Sequence, residues 1–321
     1  TNRGGYHPER FVGLSHTRHI LESVGFETSD EDFEWLCKDT DVVYTAETSY
    51  GHRLWEVARA QGTATVLHAM PELFRRGKGI TPEPTDVWLP TPWEKSRFTN
   101  PMIVPVPVQT WRFLKHREAA RERLSRNADL VFYHITAPAM LDRNGTEDLL
   151  EALGCVTHPC TFIFVGDDTT TPIPDRVGRV AIKKITDRPD DYWSAHPLEG
   201  DILVLPRRYA GLSMPMQEAL SAGRPVVMTD LPPQAGTPGV IPVPASKKTS
   251  ARMAGGVFNV YQTNPKTLGA VISRLAREGR DGAYYNYSYV ETGKFEARFS
   301  WTTNASLYEL MLRETVAKFR R

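Results

Sequence analysis

Short, continuously apolar runs recur along the chain, separated by stretches whose apolar residues return every three or four positions. Asp41 to Ala46 and Thr65 to Ala69 predict strands, with a helical stretch from Tyr50 to Gln61 between them. Asp86 to Leu89 and Ile103 to Val108 continue the series. Beyond residue 110 the alternation resumes: Leu130 to Ile135, Thr161 to Val165, Val180 to Ile185, Ile202 to Leu205, Val226 to Thr229 and Val240 to Val243 predict strands. Thr146 to Leu153 and Met214 to Ala222 predict helices among them. Strands separated by helices predict a parallel α/β sheet in each half of the chain. The passage Ile103-Val104-Pro105-Val106-Pro107-Val108 reads as the exit from the first half, so residues 1–110 are expected to form one Rossmann-like domain and 111–300 a second. Leu307, Leu310, Met311, Thr315 and Val316 make a helical stripe within Ser306 to Phe319 that must pack on something. The opening TNRGGYHPER reads as a glycine loop leading into a helix from Phe11 to Ser23. A first strand is expected before Thr1, because a Rossmann half begins strand, loop, helix.

Composition narrows the class without naming it. The 321 residues, 40% hydrophobic and 24% charged, are those of an ordinary globular protein long enough for two domains. With Lys+Arg 39 against Asp+Glu 38, the net charge of +1 creates no global field for nucleic acid or an anionic membrane. No apolar run approaches the ~18 residues of a membrane span, no leader is recognised at the start, and the three cysteines do not make a fully paired disulfide set. A cytoplasmic protein is expected. Cys155, His158 and Cys160 lie close together but lack a second ligand pair, so incidental thiols are a better reading than zinc.

The segment PRRYAGLSMPMQEALSAGRPVVMTD, Pro206 to Asp230, is the most specific in the chain. The buried run Ile202 to Leu205 ends at it, Gly211 permits a sharp turn, Ser213 and Pro215 open a helix, Gly223 closes that helix and Pro225-Val226-Val227-Met228 begins the next strand. Ligands bind at such strand-to-helix turns. The N–H groups and dipole of the helix start favour a diphosphate, and Glu218, one turn in, is placed to accept hydrogen bonds from sugar or ribose hydroxyls.

This segment resembles the donor-site signature of retaining glycosyltransferases of the GT-B fold, E-G-F-G-L-P-x-x-E-A-x-A-x-G-x-P-V-V after a strand. Gly211, Leu212, Pro215, Glu218, Ala219, Gly223, Pro225, Val226 and Val227 fall on the pattern, while Ala210 stands where the family has its first glutamate. The form PRRYAGL suggests a divergent branch. The resemblance implies two Rossmann-like domains with a cleft between them and a C-terminal helix, 301–321, crossing back to the first domain. It also implies transfer of a sugar from a nucleoside-diphosphate sugar to an acceptor hydroxyl, with retention of configuration and no required metal or other cofactor. The leaving phosphate would accept the acceptor proton, in keeping with the absence of a recognisable carboxylate pair. The acceptor, a glycan, protein, small molecule or modified DNA base, is not specified. A sugar-nucleotide epimerase of the same architecture and a catalytically inactive nucleotide-sugar binding protein are the alternatives.

In LDRNGTEDLL the family often carries a basic residue followed by glycine that contacts the donor phosphates. Asn144 occupies the lysine position, which makes Arg143 the candidate for gripping the diphosphate. Arg207 and Arg208 flank the glycine turn beside Tyr209. One is expected to face the phosphates and the other to make a structural ion pair, with no basis for choosing. Gly166 ends a strand and is followed by Asp167 and Asp168, while Asp39-Thr40-Asp41 spells a metal-binding D-x-D pattern but precedes its strand, where turn chemistry explains it better. The first half is expected to serve the acceptor. Glu47 and His68 stand at carboxyl ends of predicted strands, Glu72 follows in the same loop as His68, and Gly4 and Gly5 permit close backbone approach; each also has a plain structural reading. Phe74-Arg75-Arg76-Gly77-Lys78 suits an anionic acceptor, whereas the helix with Arg117, Arg121, Arg123 and Arg126 reads as a solvated face.

Overall fold

The computed structural model describes residues 34, 37–38, 40–47, 53–74, 83–125, 129–136, 142–166, 171–186, 196–209, 211–253, 256–279 and 283–321. The expected opening helix and the strand before it lie outside these residues. The chain divides into two compact units. One comprises Thr1–Gln109, Arg252–Val257 and Phe299–Arg321, and the other Thr110–Ala251 and Phe258–Arg298.

In the first unit β1 (Val42–Glu47), β2 (Ala64–Ala69), β3 (Asp86–Leu89) and β4 (Met102–Ile103) lie side by side in chain order, all parallel. Helix Arg53–Ala60 joins β1 to β2, and every residue of β2 is buried, as a strand covered on both faces requires. The sequence predicts a strand through Val108, but pairing stops at Ile103. Pro105 and Pro107 have no N–H to give a ladder, and Val108 instead makes an isolated bridge to Ser300.

Helix Trp301–Phe319 also belongs to this unit. Its buried face is not quite the predicted stripe. Tyr308 joins Val66, Trp88 and Val104 in the core, with Trp301, Met311 and Leu312 packed around them, while Leu307 and Leu310 are exposed. Tyr308 fits because its hydroxyl donates to the Pro105 carbonyl at 2.9 Å, so an amphipathic ring does what an apolar count assigns to leucine.

The second unit carries β5 (Val131–Ile135), β6 (Cys160–Val165), β7 (Arg176–Val177), β8 (Val180–Ile185), β9 (Ile202–Leu205), β10 (Val226–Thr229) and β11 (Val240–Val243) in one sheet. The order is β11-β10-β9-β5-β6-β8-β7, parallel except for the short antiparallel edge β7. From β5 the chain winds outward through β6 and β8 on one side, and then returns to lay β9, β10 and β11 on the other. That is the doubly wound Rossmann order. Phe132, Phe162, Phe164, Ile202, Val204 and Val227 pack against Leu149, Leu153, Leu268, Ile272 and Leu275 of helices Thr146–Leu153 and Pro265–Glu278.

A two-stranded sheet, β12 (Ala245–Met253) with β13 (Gly256–Thr263), was not expected, because β12 is largely polar. Helix Leu114–Ser125 also differs from expectation. Rather than presenting a solvated arginine face, it uses Arg117 to bond the Ser221 carbonyl at 2.7 Å and Glu296 at 2.6 Å. Its Arg123 grips the fully buried Asp201 through two bonds of 3.0 and 2.9 Å. Arg126 lies outside the described residues.

Candidate functional site

Strands β5 and β9 are neighbours, yet the chain leaves them in opposite directions, so the loops at their carboxyl ends diverge. This is the switch point at which doubly wound sheets bind ligands. The two loops meet there. Gly145, in the loop after β5, has φ +75°, and a Cβ on it would lie 2.1 Å from the carbonyl oxygen of Pro206, in the loop after β9. The Arg208 N–H donates to the Arg143 carbonyl at 3.0 Å. The fold therefore gathers Arg143, Arg207, Arg208, Tyr209, Gly211, Leu212 and Ser213 on two touching loops, next to the helix that carries Glu218. Gly166 follows the adjacent strand β6 with φ +98°, its N–H bonded to the Ile185 carbonyl at 2.8 Å.

Two helices begin here, and their N-termini differ. That of Thr146–Leu153 already holds an anion of the chain's own: the Asp142 carboxylate accepts from the N–H groups of Thr146 at 2.8 Å and Glu147 at 2.9 Å. Asp142 reaches them from a left-handed conformation, φ 46°, which aspartate tolerates better than most residues. Asn144, in the family's lysine position, is buried and donates to the Ile135 carbonyl at 2.8 Å. Helix Met214–Ser221 carries no such carboxylate cap. Ser213 is its N-cap, with Oγ 3.4 Å from the Met216 N–H, Pro215 occupies its first turn, and Gly211, at φ +123°, turns the chain into it while Gln234 donates to the Gly211 carbonyl.

The adjacent arginines have separate fates. Arg208 is neutralised by Asp148 at 2.7 Å, Glu147 at 2.9 Å and Asp142 at 3.6 Å, and is thus the structural member of the pair. Arg207 turns the other way, its Nε donating to the Tyr209 carbonyl at 3.2 Å. The Arg143 guanidinium lies 5.2 Å from the Tyr209 ring centroid, and Phe258 packs on that ring at 4.8 Å. Burial raises the Tyr209 phenol above its ordinary range, while the positive charges of Arg143 and Arg207 oppose the shift, so both cations act at the same ring.

Glu218 is buried at 2% exposure, and its Oε2 lies 3.1 Å from Nε2 of His196. His196 was not singled out from sequence. It stands in the stretch leading to β9, with no motif around it and partners distant in the chain.

Of the residues expected on the acceptor side, Glu47 pairs with Ala69 across β1 and β2, beside His68. His68 is 1% exposed, its Nδ1 2.7 Å from the Tyr44 hydroxyl and its ring among those of Tyr44, Trp88 and Tyr308. Burial lowers its pKa to about 3 against a small opposing pull from the Val104 carbonyl, so the ring is a neutral member of the core. Glu72 is half-buried in the turn Pro71–Leu73 after β2, and Glu47 ends β1. Gly4, Gly5, Asp39, Asp167, Asp168, Ala210 and the basic residues 75–78 lie outside the described residues. Asp41 is exposed and pairs with Arg320 at 2.5 Å. Among the described residues, no three His, Cys, Asp or Glu side chains cluster to hold a metal, and no helix is long and apolar enough to cross a membrane.

Comparison with known proteins bears on the same region. Residues 133–262, which include the whole β5–β9 crevice, match the family described as glycosyl transferases group 1. No curated protein matches the chain in sequence. Sucrose-phosphate synthase from Thermosynechococcus elongatus superposes with a TM-score of 0.61 at 13% identity, over 90% of this chain and 77% of that one. A glycosyltransferase from Rickettsia africae gives 0.57 at 10% identity over 89% and 80%. Anabaena HepE, solved with UDP and glucose, gives 0.53 at 13% identity over 92% and 88%. The chain has the GT-B fold of these proteins.

Proposed function

We propose that this chain is a glycosyltransferase that moves a sugar from a nucleoside-diphosphate sugar to an acceptor hydroxyl with retention of configuration. One observation carries the reading. At the β5–β9 switch point, the start of helix Met214–Ser221, capped by Ser213, follows the loop that bears Arg207 and Tyr209, with Arg143 over the Tyr209 ring. The helix start and Arg143 would hold the diphosphate, Arg207 adding positive potential, and Glu218 would accept from the ribose diol. Charge develops on the leaving phosphate as the glycosidic bond stretches, and a guanidinium beside it strengthens its contact in step. The leaving phosphate then takes the acceptor proton, so the site needs no carboxylate pair and no metal. The first unit is left for the acceptor, with Glu47 and Glu72 at the ends of neighbouring strands. Because HepE was solved with UDP and glucose, UDP-sugars are the first donors to test.

Thermal-shift screening of UDP-, GDP- and ADP-sugars, followed by an assay of nucleoside-diphosphate release, tests the reading. Arg143→Ala is expected to lower kcat by about 10–100-fold while changing nucleoside-diphosphate Kd much less. Isomerised free donor would make the chain an epimerase, and donor binding with no turnover over a broad acceptor set would make it a binding protein.

A further inference from the structure

A third loop reaches the β5–β9 crevice, and it brings one side chain to the turn that opens helix Met214–Ser221. Strand β10 lies beside β9, and the chain leaves its carboxyl end through Leu231 and Gln234. Backbone bonds fix that turn: the N–H groups of Gln234 and Ala235 both donate to the Leu231 carbonyl at 3.0 Å, and the Thr237 N–H donates to the Gln234 carbonyl at 3.0 Å. Gln234 is 2% exposed, and its side chain crosses to the Gly211 carbonyl. A carbonyl only accepts, so the amide nitrogen of Gln234 is the atom that faces it.

This bond settles an orientation that the backbone alone leaves open. Gly211 has φ +123°, a region that residues with a side chain rarely enter, and without a Cβ its peptide can turn over at little steric cost. A trans peptide carries its C=O and N–H on opposite sides, so one orientation of the Gly211–Leu212 peptide shows a phosphate a donor and the other shows it a carbonyl. By taking the carbonyl, Gln234 turns the Leu212 N–H away from itself. Leu212 is half-buried, and its N–H makes no hydrogen bond among the described residues. It stands two residues before helix Met214–Ser221, whose dipole favours an anion.

We propose that Gln234 is a positioning residue of the donor site: by holding the Gly211 carbonyl, it presents the Leu212 N–H to the diphosphate of the nucleotide in place of a carbonyl that would repel it. The inference rests on the function proposed above. It differs from a packing role for Gln234 in that the donor on its amide, and not its volume, sets nucleotide affinity.

The test is calorimetric titration with UDP, GDP and ADP, using whichever binds the unmodified protein most tightly, on variants checked by near-UV circular dichroism and Tm. Gln234→Met, which keeps the volume and removes the donor, is expected to weaken binding about tenfold, the scale of one hydrogen bond to a charged group. Gln234→Glu separates donor from shape through pH. Ionised, it sets a carboxylate against a carbonyl; burial favours its protonated form, which donates as the amide does. Relative to the unmodified protein at the same pH, its loss should shrink from more than about tenfold at about pH 8 to within about threefold at about pH 5.5, while the Gln234→Met loss stays constant. Amide NMR of the unmodified protein needs no variant: the Leu212 N–H resonance should shift on saturation with the diphosphate. Unchanged affinity in a folded Gln234→Met protein, a Gln234→Glu loss indifferent to pH, or a Leu212 resonance that does not move would each overturn the inference while leaving the function standing. If none of the three diphosphates binds the unmodified protein, the function falls and this inference with it.

Discussion

The Glu218→Gln protein is expected to fold normally and to lose nucleoside-diphosphate affinity by about 1.5–3 kcal/mol, roughly 10- to 150-fold in Kd. The substitution keeps size and one acceptor oxygen, so the contact with His196 Nε2 and the helix packing can be kept. It removes the negative charge. A ribose diol donating to a buried carboxylate makes charge-assisted bonds, about twice as strong as those to a neutral amide. Calorimetry on the two proteins measures the difference, and a folded Glu218→Gln protein that binds like the unmodified one would remove Glu218 from the site.

The second large effect concerns the contact that forms the crevice. Gly145 and Gly62 share nearly the same conformation, φ +75° and +76°, but a Cβ on Gly62 meets nothing within 4 Å, whereas one on Gly145 would lie 2.1 Å from the Pro206 oxygen. Gly62→Ala therefore carries only the penalty of a left-handed alanine, about 1 kcal/mol. Gly145→Ala adds a backbone collision that is relieved only by moving one loop off the other, and is expected to cost at least about 2 kcal/mol more. Because the displaced loop after β9 leads into the start of helix Met214–Ser221, nucleotide affinity should fall with stability. Urea unfolding of the two variants gives the comparison, and equal losses would show that the loops give way freely.

Most of the fold was legible because the second unit's central strands are continuously apolar, a pattern that survives without knowledge of their neighbours. β12 escaped notice because ASKKTSARM carries no apolar run, and β7 because two residues make no pattern. The terminal helix was recognised with its face misjudged, since Tyr308 hides a core ring behind a polar tip that only the Pro105 carbonyl explains. The glycine turn and Glu218 stood out in the sequence because their chemistry is local. Arg207 and Arg208 were indistinguishable, because neighbours in an extended segment point to opposite sides and only the three carboxylates around Arg208 show which one makes the ion pairs. His196 was beyond reach of any local reading. Its partners lie 22 and 63 residues away, and their meeting is a product of the sheet order. Asp142, by contrast, carries a signal that can be read locally: an aspartate shortly before a helix can accept from its first N–H groups, as it does here from Thr146 and Glu147.

The most direct test of the central claim is a crystal structure of the chain with a bound UDP-sugar. The account predicts the diphosphate at the start of helix Met214–Ser221 within reach of Arg143, and the ribose hydroxyls on Glu218. A nucleotide bound away from the β5–β9 crevice, or one whose ribose leaves Glu218 untouched, would contradict it.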